Sequence, residues 1–384
     1  MPRVALLAET SREHPRGLLR GIASYHKRHG PWSIYFEPHG LYDGPPPWLS
    51  TWQGEGLLVR VNDREMADAV KKTGIPAINV SGIYTDPDIP YIGVDNRPVS
   101  ALAFAHLRDC GLSNFAFCGI LKKPNQYQDH RCENFVELVE RAGYTCSVFN
   151  CERQKLSSIN WEPTKQKMVE WLKQLPKPVG VMTFHDDRGL QVIDACRRAE
   201  LQVPDEVAII GVDNDPSICN LCNPPLSSID INPGKIGFEA AAALGKCMNG
   251  GKLPNGPILF GPPRGIVPRQ STDMMAIDDP DVAIAIKYIR DHATEGIRVS
   301  DVISKIKNSP STLERRFKKA LGRTLKAEIT RIRLVRAKVL LSETNITVSA
   351  IAYRTGFNEP KYFCDVFRKN EGTTATTYRN QFRN

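Results

Sequence analysis

At 384 residues the chain is long enough for two or three domains, each able to bury a core. Its 41% hydrophobic and 24% charged residues are ordinary for a soluble globular protein, and no apolar run nears the about 18 residues that a membrane span needs. The formal charge of +9 is unevenly spread: residues 278–384 hold 21 Lys and Arg against 12 Asp and Glu, while the preceding 277 balance at 30 against 30, so the last quarter carries the whole electrostatic footprint for phosphate.

The start, MPRVALLAE, lacks the long apolar region and the small-residue cleavage site of a signal peptide, so a cytoplasmic location is expected. Arg3–Ala8 reads as a strand, then a polar loop from Glu9, a helix from Arg16 to His29 and a strand at Trp32–Glu37. Gly40–Pro47 is a Pro/Gly-rich loop. Gly56–Val61 and Pro76–Val80 are short apolar strands around a helical Arg64–Lys72, and Tyr91–Val94 leads through Asp95 and Asn96 into a helix ending near Gly111. The pattern then restarts, with strands at Phe115–Gly119, Thr145–Phe149, Val179–Phe184, Val207–Val212 and Ser227–Ile231. Helices alternate with them at Asp129–Gly143, Pro163–Gln174, Gly189–Ala199 and Gly234–Gly250. Two such runs predict an α/β protein of two lobes with a ligand cleft at the carboxyl ends of parallel strands.

Polar residues cluster at those strand ends: Glu9 to Arg16, Asp95 and Asn96, His185 to Asp187, and Asp213 to Asp215. Carboxylates, amides and arginines at a cleft mouth suit a polyhydroxylated ligand, since each hydroxyl both donates and accepts. Capping of the following helices is the competing explanation for each one. Ten cysteines are scattered, Cys219 and Cys222 form the one CxxC, and no second pair has zinc-like spacing. Reduced apolar fillers are therefore expected, with no metal and no cofactor.

The last hundred residues are helical and repeat themselves. SPSTLERRFKKALG at Ser309–Gly322 lies over EPKYFCDVFRKNEG at Glu359–Gly372, fifty residues on. In the second copy Gly356 ends a short helix, Asn358 is the expected cap of the next, and Phe363, Val366 and Phe367 form its buried stripe. The first copy has Lys307 and Asn308 where the second has its turn glycine. Leu325, Ile329, Ile332, Arg336 and Leu340 trace one face of the helix expected between the copies. A short helix, a tight turn and a second helix with a polar face make a helix-turn-helix. On the polar faces, Ser311, Glu314 and Arg315, then Lys361 and Asp365, are the candidate base readers. Arg316, Lys318, Lys319, Arg368 and Lys369 are the candidate phosphate contacts.

With RxRLxRAxxLL at Arg331–Leu341, IAxxxGF at Ile351–Phe357 and YFxxxFRKxxGxTxxxYR at Tyr362–Arg379, this segment resembles the paired helix-turn-helix module of the AraC family. VPDEVAIIGVDND at Val203–Asp215, FHDDRGL after a strand, and RGIVPRQST at Arg264–Thr272 make the first part similar to the periplasmic-binding-protein-like effector domain of LacI-type regulators. That resemblance implies that Arg131 and Asp213 contact a sugar, with Arg16, Asp95 and Asp186 completing the candidate set. The pairing of the two modules resembles the family of xylose-operon activators, which implies D-xylose or a near relative as effector. The expectation is an effector domain over 1–274 and an all-α DNA-binding domain over 275–384. Such a chain would act as a homodimer on a double-stranded DNA operator, with RNA polymerase as a further partner and no membrane. Two rivals are an enzyme fused to a DNA-binding module, using Asp186, Asp187 or Asp213, and a sugar carrier with a helical appendage. No GxSxG, P-loop or HExxH favours the first, and the localised charge opposes the second.

Overall fold

The computed structural model describes residues 1–40, 43–120, 126–151, 161–254, 256–260, 263–273, 279–306, 309–321 and 323–383. The first lobe starts with β1 (Arg3–Ala8), α1 (Glu13–His29), β2 (Ser33–Pro38), β3 (Gly56–Val59), α2 (Arg64–Lys72), β4 (Ala77–Asn79) and β5 (Ile92–Val94). Four strands make a parallel sheet in the order β2-β1-β3-β4, with Leu6 against Phe36 and Leu58. The chain then crosses into a second lobe, built from α3 (Asn96–Asp109), β6 (Asn114–Ile120), α4 (Gln126–Arg141), β7 (Cys146–Cys151), α5 (Trp161–Gln174), β8 (Val179–Thr183), α6 (Asp186–Arg198), β9 (Val207–Val212), α7 (Pro216–Leu221) and β10 (Ser227–Asp230).

The near-continuous apolar runs of β8 and β9 are explained by helices on both faces of this sheet, which bury every residue of the two strands. The chain recrosses to α8 (Pro233–Met248) and β11 (Ile258–Phe260), which pairs with β5, then returns to β12 (Gly265–Val267), antiparallel to β10. The second sheet therefore runs β12-β10-β9-β8-β6-β7. Helices α1 and α8 cross at Gly21 and Gly237, where a Cβ would run into the facing backbone at Gly234 and Leu18. Three crossings tie the lobes and leave the cleft between them, as the alternating pattern predicts. Helix α1 begins at Glu13, three residues before the expected start, with Glu13 in its first turn where the dipole favours an acid.

The remaining elements are all helical: α9 (Pro280–His292), α10 (Val299–Ile303), α11 (Pro310–Leu321), α12 (Leu325–Glu343), α13 (Val348–Arg354), α14 (Pro360–Glu371) and α15 (Ala375–Arg383). They form two cores. One gathers Val282, Ile286, Ile289, Val302, Leu313, Phe317, Leu325 and Ile329, the other Leu334, Ala337, Leu341, Ile351, Phe357, Phe363, Phe367 and Tyr378. Helix α12 serves both, which corrects the single face expected for it. Leu325, Ile329 and Ile332 bury on the first core, Leu334, Ala337 and Leu341 on the second, and Arg336 is exposed between. The cap of α14 is also corrected: Glu359 is the N-cap, without a side-chain bond, and Asn358 precedes it. The expected turn at Lys307 and Asn308 lies outside the described residues, as do Gly322 and the expected boundary between 274 and 275.

Candidate functional site

Where the lobes face each other they enclose a cavity of about 140 Å³. An engineered protein cavity of about 150 Å³ admits benzene, so this one has room for a single six-membered ring. Pro15, Leu18, Val80, Ile83, Val94, Phe184 and Ile231 give it apolar walls, and Glu9, Arg12, His14, Arg60, Asn96, Arg131, His185 and Asp213 supply polar groups. Few precisely placed polar groups in an apolar shell are what a small-molecule site requires.

The second lobe fixes Arg131 from α4. Its Nε donates to Asn96 Oδ1 at 2.9 Å, one terminal nitrogen donates to the Phe184 carbonyl, and the guanidinium lies 4.8 Å over the Phe184 ring. Asp213 stands at the exit of β9 with φ of 102°, in the left-handed half of backbone space that asparagine and aspartate tolerate best but still at a cost. Burial pushes its carboxyl up to about 7, against the opposing pull of Arg131 and Arg12. His14 and His185 each bury an Nε2 with no hydrogen-bond partner among the described residues. Burial, aided by Arg131, holds His14 down at about 4 and His185 well below its ordinary value, so both rings are neutral at pH 7. A neutral ring nitrogen left unsatisfied beside a cavity costs about 1–3 kcal/mol until something fills it. Both histidines line this cavity.

Of the five candidate sugar contacts, the structure brings only Arg131 and Asp213 to the cavity wall. Asp95 caps α3 through the Arg97 backbone N–H at 3.0 Å and forks with the Arg97 guanidinium, which holds its carboxyl below the usual range. Its neighbour Asn96 takes the place expected for it. Asp186 turns away beneath the cleft: its Oδ2 accepts from the Asp215 N–H at 2.7 Å and its Oδ1 from the Ser228 hydroxyl at 2.5 Å. Burial, then the nearby Asp213, raises its pKa well above that of an ordinary carboxyl. Arg16 sits at the mouth, where it bridges from α1 to Asp215 across the lobes at 3.0 Å. Arg12 makes a second bridge, to Asp187 at 3.1 Å. Sequence position could not separate these roles, because consecutive residues leaving a strand point in different directions.

The helical region presents two similar faces. On α11, Leu313 and Phe317 are buried and Ser311, Glu314, Arg315, Lys318 and Lys319 are exposed. On α14, Phe363 and Phe367 are buried and Lys361, Asp365, Arg368 and Lys369 are exposed. The exception is Arg316. Its guanidinium grips Asp279 at 2.6 Å and Asp281 at 2.7 Å at the start of α9, so its charge is already engaged within the protein, unlike that of the other candidate phosphate contacts. The position one repeat later is Val366, half-buried, so this register faces inward in both copies. Gly356, with φ of 81°, ends α13 as expected and approaches the Ala293–Gly296 turn so closely that a Cβ would lie 2.7 Å from the Ala293 carbonyl. Arg333 Nε donates to the same carbonyl at 2.8 Å, so the two helix-turn-helix units are fixed to each other. Nine described cysteines are free, and among the described residues no cluster of His, Cys, Asp and Glu is placed to hold a metal. No described helix is long and apolar enough to cross a membrane.

Three stretches match described families: residues 3–97 the XylR N-terminal domain, 104–272 the periplasmic binding protein-like domain, and 304–381 a helix-turn-helix domain. The chain is 32% identical to the xylose operon regulatory protein of Haemophilus influenzae over 98% of both chains. It is 29% identical to that of Escherichia coli K12 over 98% of this chain and 96% of the relative. Among solved structures, the one described as xylose-binding transcription activator xylR superposes with a TM-score of 0.68, at 29% identity, covering 99% of this chain and 98% of that one. The regulator CelR in complex with cellobiose matches at 17% identity and a TM-score of 0.55 over 70% of this chain, which shows the two-lobed fold alone.

Proposed function

This chain belongs to the family of xylose operon regulatory proteins, and on that premise we propose that its cleft takes D-xylose or a near relative and that the occupied form sets how its helix-turn-helix pair engages an operator. It is a sugar-responsive transcriptional regulator and not an enzyme, as its full-length relatives are named. The observation that supports the choice of ligand is a cavity sized for one ring and lined by Arg131, Asp213 and two histidines whose Nε2 atoms have no partner among the described residues. Asp213 would accept two hydroxyls, Arg131 would donate, and His14 and His185 would each complete one further bond.

Ser311, Glu314 and Arg315 would read bases in one major groove, and Lys361 and Asp365 in the next, about 34 Å along the duplex. Lys318, Lys319, Arg368 and Lys369 would hold phosphates. A homodimer in the cytoplasm, activation through RNA polymerase, and a domain boundary between residues 274 and 275 complete the proposal. The localised charge and the ends of the matched stretches, at 272 and 304, support the last of these.

A thermal-shift panel of pentoses and hexoses on the full chain tests the ligand. A sugar present at 100 times its dissociation constant adds about 2.7 kcal/mol of stability. D-xylose should give the largest shift. A hexose giving the largest shift, with none from any pentose, would contradict the proposal.

A further inference from the structure

Asp213 is followed by a second residue in the left-handed region, Asn214 with φ of 50°. Two such residues in succession are uncommon and each costs about 1–3 kcal/mol unless its surroundings hold it. Here the holding groups are specific. The Asn214 N–H donates to the Ser228 hydroxyl at 3.0 Å, and Asn214 Oδ1 accepts from Arg269 Nη2 at 2.9 Å. Asn214 itself does not line the sugar cavity; Asp213 does.

Arg269 reaches the other way as well. It is buried, its Nη1 donates to the Leu226 carbonyl at 2.9 Å, and it lines a second cavity, between the effector lobes and the helical module. The residues after it are pinned: Ser271 Oγ donates to the Ile209 carbonyl at 2.6 Å, and Thr272 Oγ1 bonds Ser227 Oγ at 2.7 Å and His106 Nε2 at 2.8 Å. Asp273 follows and meets Arg331 of α12 at 3.4 Å. Arg331 also holds the buried Glu328 at 2.7 Å, and α12 contributes to the cores of both helix-turn-helix units.

We infer that Asn214 and Arg269, continued by Asp273 and Arg331, couple the sugar cavity to the helix that carries both DNA-binding units, with Arg269 as the positioning residue. A ligand on Asp213 acts on the turn, the turn moves Asn214, and Arg269 passes the change through the pinned Ser271 and Thr272 to Asp273. Arg290 of α9 also lies 3.9 Å from Asp273, and its contact with Asp205 at 3.2 Å ends on a mostly exposed carboxylate in the loop after α6 and is screened by water. The inference rests on the reading of the cleft as a D-xylose site.

Hydrogen–deuterium exchange of the full chain over Leu325–Glu343, with and without saturating D-xylose, tests it alongside calorimetry of the sugar. Asn214→Gly removes the acceptor for Arg269 while keeping the backbone unstrained, Asn214→Asp keeps an acceptor, and Asp273→Asn cuts the far end. In the wild type, D-xylose should change exchange in α12 by ~5-fold or more. Asn214→Gly and Asp273→Asn should bind D-xylose within about threefold of wild type yet lose that change, and Asn214→Asp should keep it. The double variant should be no worse than either single one. The coupling is overturned if Asn214→Gly keeps the full change, if it loses sugar binding itself, or if a sugar-binding wild type shows no change in α12. A wild type that binds no D-xylose instead removes the effector reading on which the coupling stands.

Discussion

The two helix-turn-helix units share one pattern fifty residues apart and differ in what surrounds it. Unit two closes on a chain of aromatic contacts, Phe357 to Phe363 at 5.2 Å, Phe363 to Phe367 at 5.6 Å and Phe367 to Tyr378 at 5.6 Å. At the place of Tyr378, unit one has Glu328, fully buried and gripped by Arg323 at 2.6 Å and Arg331 at 2.7 Å. At the place of Val366 it has Arg316, gripped by two aspartates of α9. Both units have an apolar core, but the unit next to the effector lobes adds charged groups at these two positions, one of whose partners, Arg331, also reaches Asp273.

The contrast breaks most visibly at Glu328. Truncating it to alanine removes the buried carboxylate that two half-buried guanidinium groups share, which should cost about 2–4 kcal/mol once their partial exposure is allowed for. Tyr378→Phe in unit two, which keeps the ring packing, should cost about 1 kcal/mol or less. Denaturant titration of the two variants compares them directly. Burial raises the Glu328 pKa, but the Arg331 and Arg323 contacts outweigh it and hold the carboxyl below its ordinary 4.5. Its contribution should therefore be intact above pH 4.5 and fade as the pH falls below it.

At the DNA face the sharpest pair is adjacent. Arg315→Ala should lose about 1–3 kcal/mol at the specific site and relax preference at one or two base pairs. Arg316→Ala should leave the salt dependence of DNA binding unchanged, since its charge is already spent on Asp279 and Asp281. Lys319→Ala and Lys369→Ala should weaken all sequences alike and each flatten the salt slope by about one. Binding to selected and scrambled duplexes across a salt series separates these outcomes. A drop in the slope for Arg316→Ala would return it to the phosphate contacts.

Much of this was legible in the sequence because strand and helix periods alternate cleanly through β1 to β10, and because Gly356 needs the φ it has. The site was only half legible. Arg131 and Asp213 came from motif matches, but Asp95 and Asp186 look no different from them on paper. One caps a helix and the other ties β10 to the β9 turn, choices made by side-chain direction at the strand exit. His14 stands in the first turn of α1, in a stretch of no recognisable motif, and its burial depends on how the lobes pack. Arg316 is different: its partner position, Val366, already showed that this register points inward.

The smallest expected effect in this series is on pH. Because burial sets the Asp213 carboxyl near 7, a ligand that prefers the carboxylate should bind more weakly as the pH falls through 7 and reach a plateau above it. Asp213→Asn should flatten that profile, while His14, neutral down to about pH 4, should add nothing to it.

Calorimetric titration of D-xylose into wild type and Asp213→Ala, with melting curves of both without sugar, tests most directly whether the cleft is the effector site. The wild type should bind one sugar per chain. The variant should melt as a folded protein near the wild-type temperature and bind at least ~10-fold more weakly, the loss of one charge-assisted bond. Equal sugar affinity in the two proteins would contradict it and leave Asp213 as no more than a residue of the turn after β9.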